Sequence, residues 1–114
     1  MNSNFNEMTP ADKKALMAPY RARIDALDRQ IIALLRQRYD VINEVGHVKS
    51  REGLAPVLQD RVDEVRENAA RLAGECGLDV DFIRHLYAQL IAHSCATEED
   101  IMRALAAAPQ KAAG

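Results

Sequence analysis

One apolar stripe runs through about thirty residues of this chain with no breaker but a single glycine, and it leaves few folds open. From Ile24 onward, apolar residues recur at Leu27, Ile31, Leu34, Leu35, Val41, Ile42, Val45 and Val48. That is the three-and-four spacing of an amphipathic helix with one face turned to a core. Gly46 lies inside the pattern and is tolerated in a helix at about 1 kcal/mol. The spacing predicts a helix from about Pro19 to Lys49, a rod of roughly 45 Å. Such a rod is longer than a compact domain of 114 residues is wide. It cannot bury its whole stripe on the rest of its own chain, so it is expected to pair with a second copy.

Two cations interrupt the stripe. Arg38 stands seven residues after Ile31 and seven before Val45, and Lys49 follows Val45 by four. Charges aimed at a helical core need partners, because an unpaired buried charge costs several kcal/mol or more. Either carboxylates of this chain answer them or a ligand does.

The rest of the chain reads as two shorter helices. Ser50 to Asp60 is a joint, with Gly53 and Pro56 as breakers. Asp60 is expected to cap a second helix reaching Cys76, with Val62, Val65, Ala69 and Leu72 inward. Gly77 is expected to close it and Asp79 to cap the third helix at once. Phe82, Leu86, Leu90, Ile101 and Leu105 form the inner stripe of that third helix, with Ser94, Thr97 and Glu98 in its middle. Thr9-Pro10 with Asp12 resembles a capped start, and Pro19 is expected to break or kink the opening turn. There is no strand candidate and no internal repeat. The expected fold class is all-α, three helices per chain with a long first helix, assembling as an entwined homodimer. Residues 1–18 are taken as a flexible or short helical extension, 19–106 as the helical domain and 107–114 as a disordered tail.

Composition excludes several classes. A formal net charge of −2 is unlike a general nucleic-acid binder. No apolar run approaches the roughly 20 residues that cross a bilayer, and the opening MNSNFNEMTP lacks the layout of a signal peptide. Cys76 and Cys95 lack zinc or redox spacing, and His47, His85 and His93 form no ligand pattern. The expectation is a cytoplasmic protein with no metal, no nucleic-acid partner and no membrane association.

Helical geometry then gathers the polar residues. Eleven steps from Arg38 to Lys49 come to roughly 20° beyond three turns, about 16 Å along the axis. Two long side chains leaning together can grip one small anion. Arg21 lies seventeen residues before Arg38, about 25 Å away and rotated by roughly 100°. If it takes part, it must serve the site of a partner whose helix runs antiparallel. Arg61, at the start of the second helix, can close the site from above. Ser94 and Glu98, spaced i and i+4, offer a hydroxyl and a carboxyl to one face. The set holds no poised nucleophile and no phosphate-cradling loop. It suits a small dicarboxylate and a reaction that needs orientation and charge stabilisation. Singly, each residue has an ordinary reading. Arg38 can snorkel or form a salt bridge, Glu98 opens an acidic run that can be a solvated face, Ser94 can bond to its own helix, and Arg21 can pair with Asp25. The joint pattern carries the case.

Three segments, YRARIDALDRQIIALLRQRYDVINEVGHVK, QDRV and GLDVDFIRHLYAQLIAHS, together resemble the all-helical chorismate mutase family from about Tyr20 to Met102. The resemblance implies a domain-swapped homodimer in which Arg21 is lent to the opposite subunit's site. It implies that Arg38 and Lys49 hold the substrate carboxylates and, for the lysine, the ether oxygen, and that Arg61 and Ser94 bind substrate. The implied reaction is the Claisen rearrangement of chorismate to prephenate, without cofactor. Two positions depart from the family. Glu98 stands where many members have glutamine, and only the protonated acid can donate to an ether oxygen. Val62 stands where many have a glutamate that binds the ring hydroxyl, and Leu58 replaces another acidic contact. Val62, with the ending Cys95-Ala96-Thr97-Glu98-Glu99-Asp100, also resembles the 4-amino-4-deoxychorismate mutases, and valine there is shared with the isochorismate-pyruvate lyases. The alternative of another class is a non-catalytic helical dimerisation module, in which Arg38 and Lys49 pair with carboxylates such as Glu44 or Asp63.

Overall fold

A computed structural model of the chain describes residues 7–108. Those residues form three helices, α1 (Pro10–Glu52), α2 (Gln59–Glu75) and α3 (Val80–Ala107), and no strand occurs among them. The helical class is as the periodicity predicts. The chain divides into two compact units between Gln37 and Arg38, and α1 contributes to both.

The first unit is the opening part of α1. Thr9 and Asp12 cap it reciprocally: the Asp12 N–H donates to Thr9 Oγ1 at 3.0 Å and the Thr9 N–H to Asp12 Oδ2 at 3.2 Å. Pro10 takes the first helical position, where its missing N–H costs nothing. Pro19 sits inside the helix rather than breaking it. It forfeits one N–H and crowds the carbonyl four residues back, but the capped turns before it begin the helix independently. The helix therefore starts nine residues earlier than the sequence reading places it, and it crosses the expected boundary between residues 18 and 19. Within this unit the apolar stripe is open, with Ile24 and Leu27 each 56% exposed.

The second unit holds the end of α1, α2 and α3. Helix α2 packs on α3, with the small residues Ala69, Ala70 and Ala73 buried on α2 and Ile91 buried on α3. Leu72 is not part of that face. It is exposed, because three alanines allow a close approach that the stripe through Leu72 would prevent. On α3 the buried line is Ile91, Ser94 and Glu98, while Phe82, Leu86 and Leu105 are exposed in the single chain. The expected inner stripe is thus displaced toward the polar residues.

Asp60 does not cap α2. Leu58 holds the cap position without a side-chain bond, and Asp60 lies in the first turn, where the helix dipole favours an acid. Its other end is as expected: Gly77 takes a left-handed φ of 78° and the Leu78 N–H reaches the Ala73 carbonyl at 2.8 Å, a Schellman closure. Asp79 then caps α3, accepting from the Phe82 N–H at 3.0 Å. Helix α1 ends in the same way, with Gly53 at φ 68° and the Leu54 N–H on the Lys49 carbonyl at 2.9 Å.

Gly46 is the buried glycine of α1. A β-carbon there would meet Ile101 Cγ2 at 3.2 Å, so its small size lets α1 lie against α3. The expected disordered tail lies outside the described residues from 109 onward; residue 107 closes α3.

Candidate active site

A cavity of about 400 Å³ opens within the second unit, in the size range of small-molecule sites. Arg38 and Lys49 reach it from α1, Arg61 and Val62 from α2, and Ser94 and Glu98 from α3. Six of the seven residues singled out from the sequence therefore meet in one place. Arg21, an exposed residue of the first unit, is not among the lining side chains.

Arg38 and Lys49 are held differently. Arg38 Nη1 donates to Ser94 Oγ at 2.5 Å, and the Ser94 hydroxyl donates in turn to the Leu90 carbonyl at 2.9 Å. Ser94 is thus both a residue bonded to its own helix and the acceptor that fixes Arg38. That acceptor is neutral, so the guanidinium keeps its positive charge toward the cavity.

Lys49 is met by a carboxylate. Its Nζ lies 2.6 Å from Glu98 Oε1, with the two side chains only 13% and 7% exposed. The alignment is not that of a hydrogen bond, and Glu98 Oε1 has no directed donor among the described residues. Proximity supplies charge attraction, while the direction of the ammonium's bonding is set elsewhere: Nζ donates to the Pro56 carbonyl at 2.9 Å. The acid that answers Lys49 is therefore neither Glu44 nor Asp63. Glu44 is exposed, and Asp63 accepts from Gln59 and pairs with Arg66. Arg61 lines the mouth of the cavity with its guanidinium on Glu64, three residues along α2 and largely in solvent.

Much of the remaining lining is apolar: Val41, Ile42 and Val45 of α1, Leu58, Val62 and Val65, and Ile91 of α3; no acid stands at position 58 or 62. Cys95 completes the lining. Burial pushes its thiol above the ordinary range, and the nearby Glu98 charge adds to the rise. It sits there as a neutral, soft filler rather than a nucleophile.

Sequence reasoning missed Cys95 and the Pro56 carbonyl. Cys95 precedes Glu98 by three on α3, a spacing that shares a face. The carbonyl left no signal, because every residue carries one and only backbone conformation aims it. Among the described residues no group of three or more His, Cys, Asp or Glu side chains is placed to hold a metal ion. No helix among the described residues is long and apolar enough to cross a membrane.

The pattern of the chorismate mutase type II family matches residues 20–99. A 4-amino-4-deoxychorismate mutase of Streptomyces venezuelae is 37% identical over 82 residues, covering 72% of this chain and 80% of that protein. An isochorismate pyruvate lyase of Pseudomonas aeruginosa is 36% identical over 83 residues, covering 73% and 80%. A T-protein of Haemophilus influenzae is 33% identical over 79 residues, 68% of this chain but only 21% of that protein. No solved structure matches. With the family pattern spanning Tyr20 to Glu99 and every cavity-lining residue inside that span, this chain belongs to the chorismate mutase type II family.

Proposed function

We propose that the cavity binds a chorismate-type dicarboxylate and rearranges it by the Claisen route, chorismate to prephenate in the first reading. The carrying observation is that Arg38 and Lys49 line one small cavity whose single acid, Glu98, pairs with Lys49 and leaves Arg38 on a neutral hydroxyl. Arg38, steadied by Ser94, receives a substrate carboxylate. Lys49 donates toward the ether oxygen or the second carboxylate, and Arg61 closes the mouth. The wall of Val62, Val65 and Ile91 presses on the ring and keeps water out. In the rearrangement one C–O bond breaks as one C–C bond forms within a cyclic shift of electron pairs. No proton and no redox equivalent is exchanged, so conformer selection and charge stabilisation suffice. Glu98 stands beside Lys49 and holds the ammonium's charge on the α3 side of the cavity.

The reading includes a homodimer in which the open stripe of α1 pairs with that of a second copy and Arg21 completes the partner's cavity. The exposed Ile24, Leu27 and Ile31 support it.

A second substrate reading, 4-amino-4-deoxychorismate, is favoured by two relatives of that name, 37% and 34% identical, and by the apolar Val62 and Leu58. Isochorismate with pyruvate elimination is the third. A competition assay with chorismate, isochorismate and 4-amino-4-deoxychorismate ranks them by kcat/KM, and chorismate turning over slowest would displace the first reading. The rival from another class, a dimerisation module, draws on the Lys49–Glu98 pair. Heating the protein with and without a chorismate analogue separates the two: the enzyme is stabilised by ligand, and no shift at saturation favours the module.

A further inference from the structure

We infer that Gly53 and Pro56 are positioning residues, forming a backbone clip that aims the Lys49 ammonium into the cavity. The clip grips Lys49 at both ends. Its carbonyl accepts from the Leu54 N–H at 2.9 Å, and its ammonium donates to the Pro56 carbonyl at 2.9 Å. The first bond exists because Gly53 turns the chain with φ at 68°. The second comes from a short loop that proline narrows, since the ring fixes φ at Pro56 and holds Ala55 before it extended. Pro56 itself lines the cavity.

An ammonium has three N–H groups and no acceptor. One is taken by Pro56, and Glu98 Oε1 at 2.6 Å draws the charge to α3. Its remaining N–H groups are left for an oxygen of the ligand. A four-carbon side chain would otherwise sample many rotamers, and fixing it by two groups from different elements removes that freedom before the ligand arrives. The inference rests on the reading of Lys49 as a substrate-contacting residue, but the geometry of the clip does not depend on which ether is bound.

The space at Gly53 makes the test clean. A β-carbon there meets nothing within 4 Å, so Gly53→Ala acts through backbone strain alone, whereas Asn tolerates the left-handed conformation. Two readouts are required, one independent of turnover. The first is acylation of Lys49 by acetic anhydride, followed by mass spectrometry. Lys49 is expected to react about threefold or more faster in Gly53→Ala than in wild type, with Lys13 and Lys14 unchanged and Gly53→Asn near wild type. Equal rates for Lys49 in all three proteins would overturn the clip, whatever the protein catalyses. The second is steady-state kinetics on the best of the three candidate ethers. Gly53→Ala is expected to lower kcat about tenfold with little change in KM, and to lower it no further when Lys49 is already alanine. Equal losses in the Lys49 and Lys49→Ala backgrounds would mean that the glycine acts on the fold and not through the lysine. A wild-type protein inactive on all three ethers would refute the proposed function while the acylation result still decides the clip.

Discussion

At the scale of single residues, Arg38 separates an enzyme from a structural module. Its partner is the hydroxyl of Ser94, not a carboxylate, so its removal costs the fold little ionic pairing and costs a bound anion a great deal. Arg38→Ala is expected to lower kcat/KM by about a hundredfold or more, about 3 kcal/mol of transition-state stabilisation, with the far-UV spectrum unchanged. Glu98 gives a second prediction. Only its protonated form can donate to an ether oxygen, while its ionised form engages Lys49 at 2.6 Å. Glu98→Gln offers an amide N–H in the same place and is expected to turn over at least as fast as wild type, whereas Glu98→Ala is expected to be slower. Turnover unchanged in Glu98→Ala removes Glu98 from the mechanism. Arg38, Lys49, Ser94 and Glu98 were legible in the sequence because helical spacing alone fixes which residues share a face. Which acid meets which cation was not, since that depends on how α1 crosses α3, and Pro56 acts through a backbone group that residue type does not announce.

At the scale of elements, α2 and α3 are joined by an exposed clamp as well as by their alanine face. Arg84 of α3 reaches Glu67 of α2 with Nε at 3.2 Å and Nη2 at 3.1 Å. Hydrogen bonds from Arg84, then Arg66, hold the Glu67 carboxyl below its ordinary value of 4.5. A carboxyl lowered in the folded state stabilises the protein at pH values above its unfolded pKa, and that contribution disappears as pH falls through the folded value. The Tm difference between wild type and Glu67→Gln should therefore be steady above about pH 5 and shrink below the ordinary 4.5. A difference that grows on acidification would contradict the clamp. Gly46 makes an opposite kind of contact. Its replacement by leucine gains helix propensity but drives a side chain into Ile101, which already stands 3.2 Å from an added β-carbon. Gly46→Leu is expected to lower the stability measured by urea unfolding by about 1–3 kcal/mol. The sequence reading assigned that glycine only its helical cost. The reason for tolerating it is a packing contact from another element, which periodicity along α1 cannot reveal. The same limit explains Leu72 and Phe82: helix positions were readable, but the face that α2 and α3 share is decided by which residues are small enough to let them approach.

For the whole molecule, the open apolar stripe of α1 and the position of Arg21 are two sides of one proposal, that a second copy covers the first and shares the second. Arg21 and Arg38 then belong to the same site but to different chains. Mixing subunits tests this directly. Arg21→Ala and Arg38→Ala homodimers should each be nearly inactive. Unfolded together and refolded in equal amounts, half the dimers pair one variant with the other, and each such dimer has one site with both arginines intact. The account predicts recovery of about a quarter of wild-type turnover in the mixture. A mixture no more active than its two components would contradict it, for every site would then carry a defect and each cavity would belong to one chain alone.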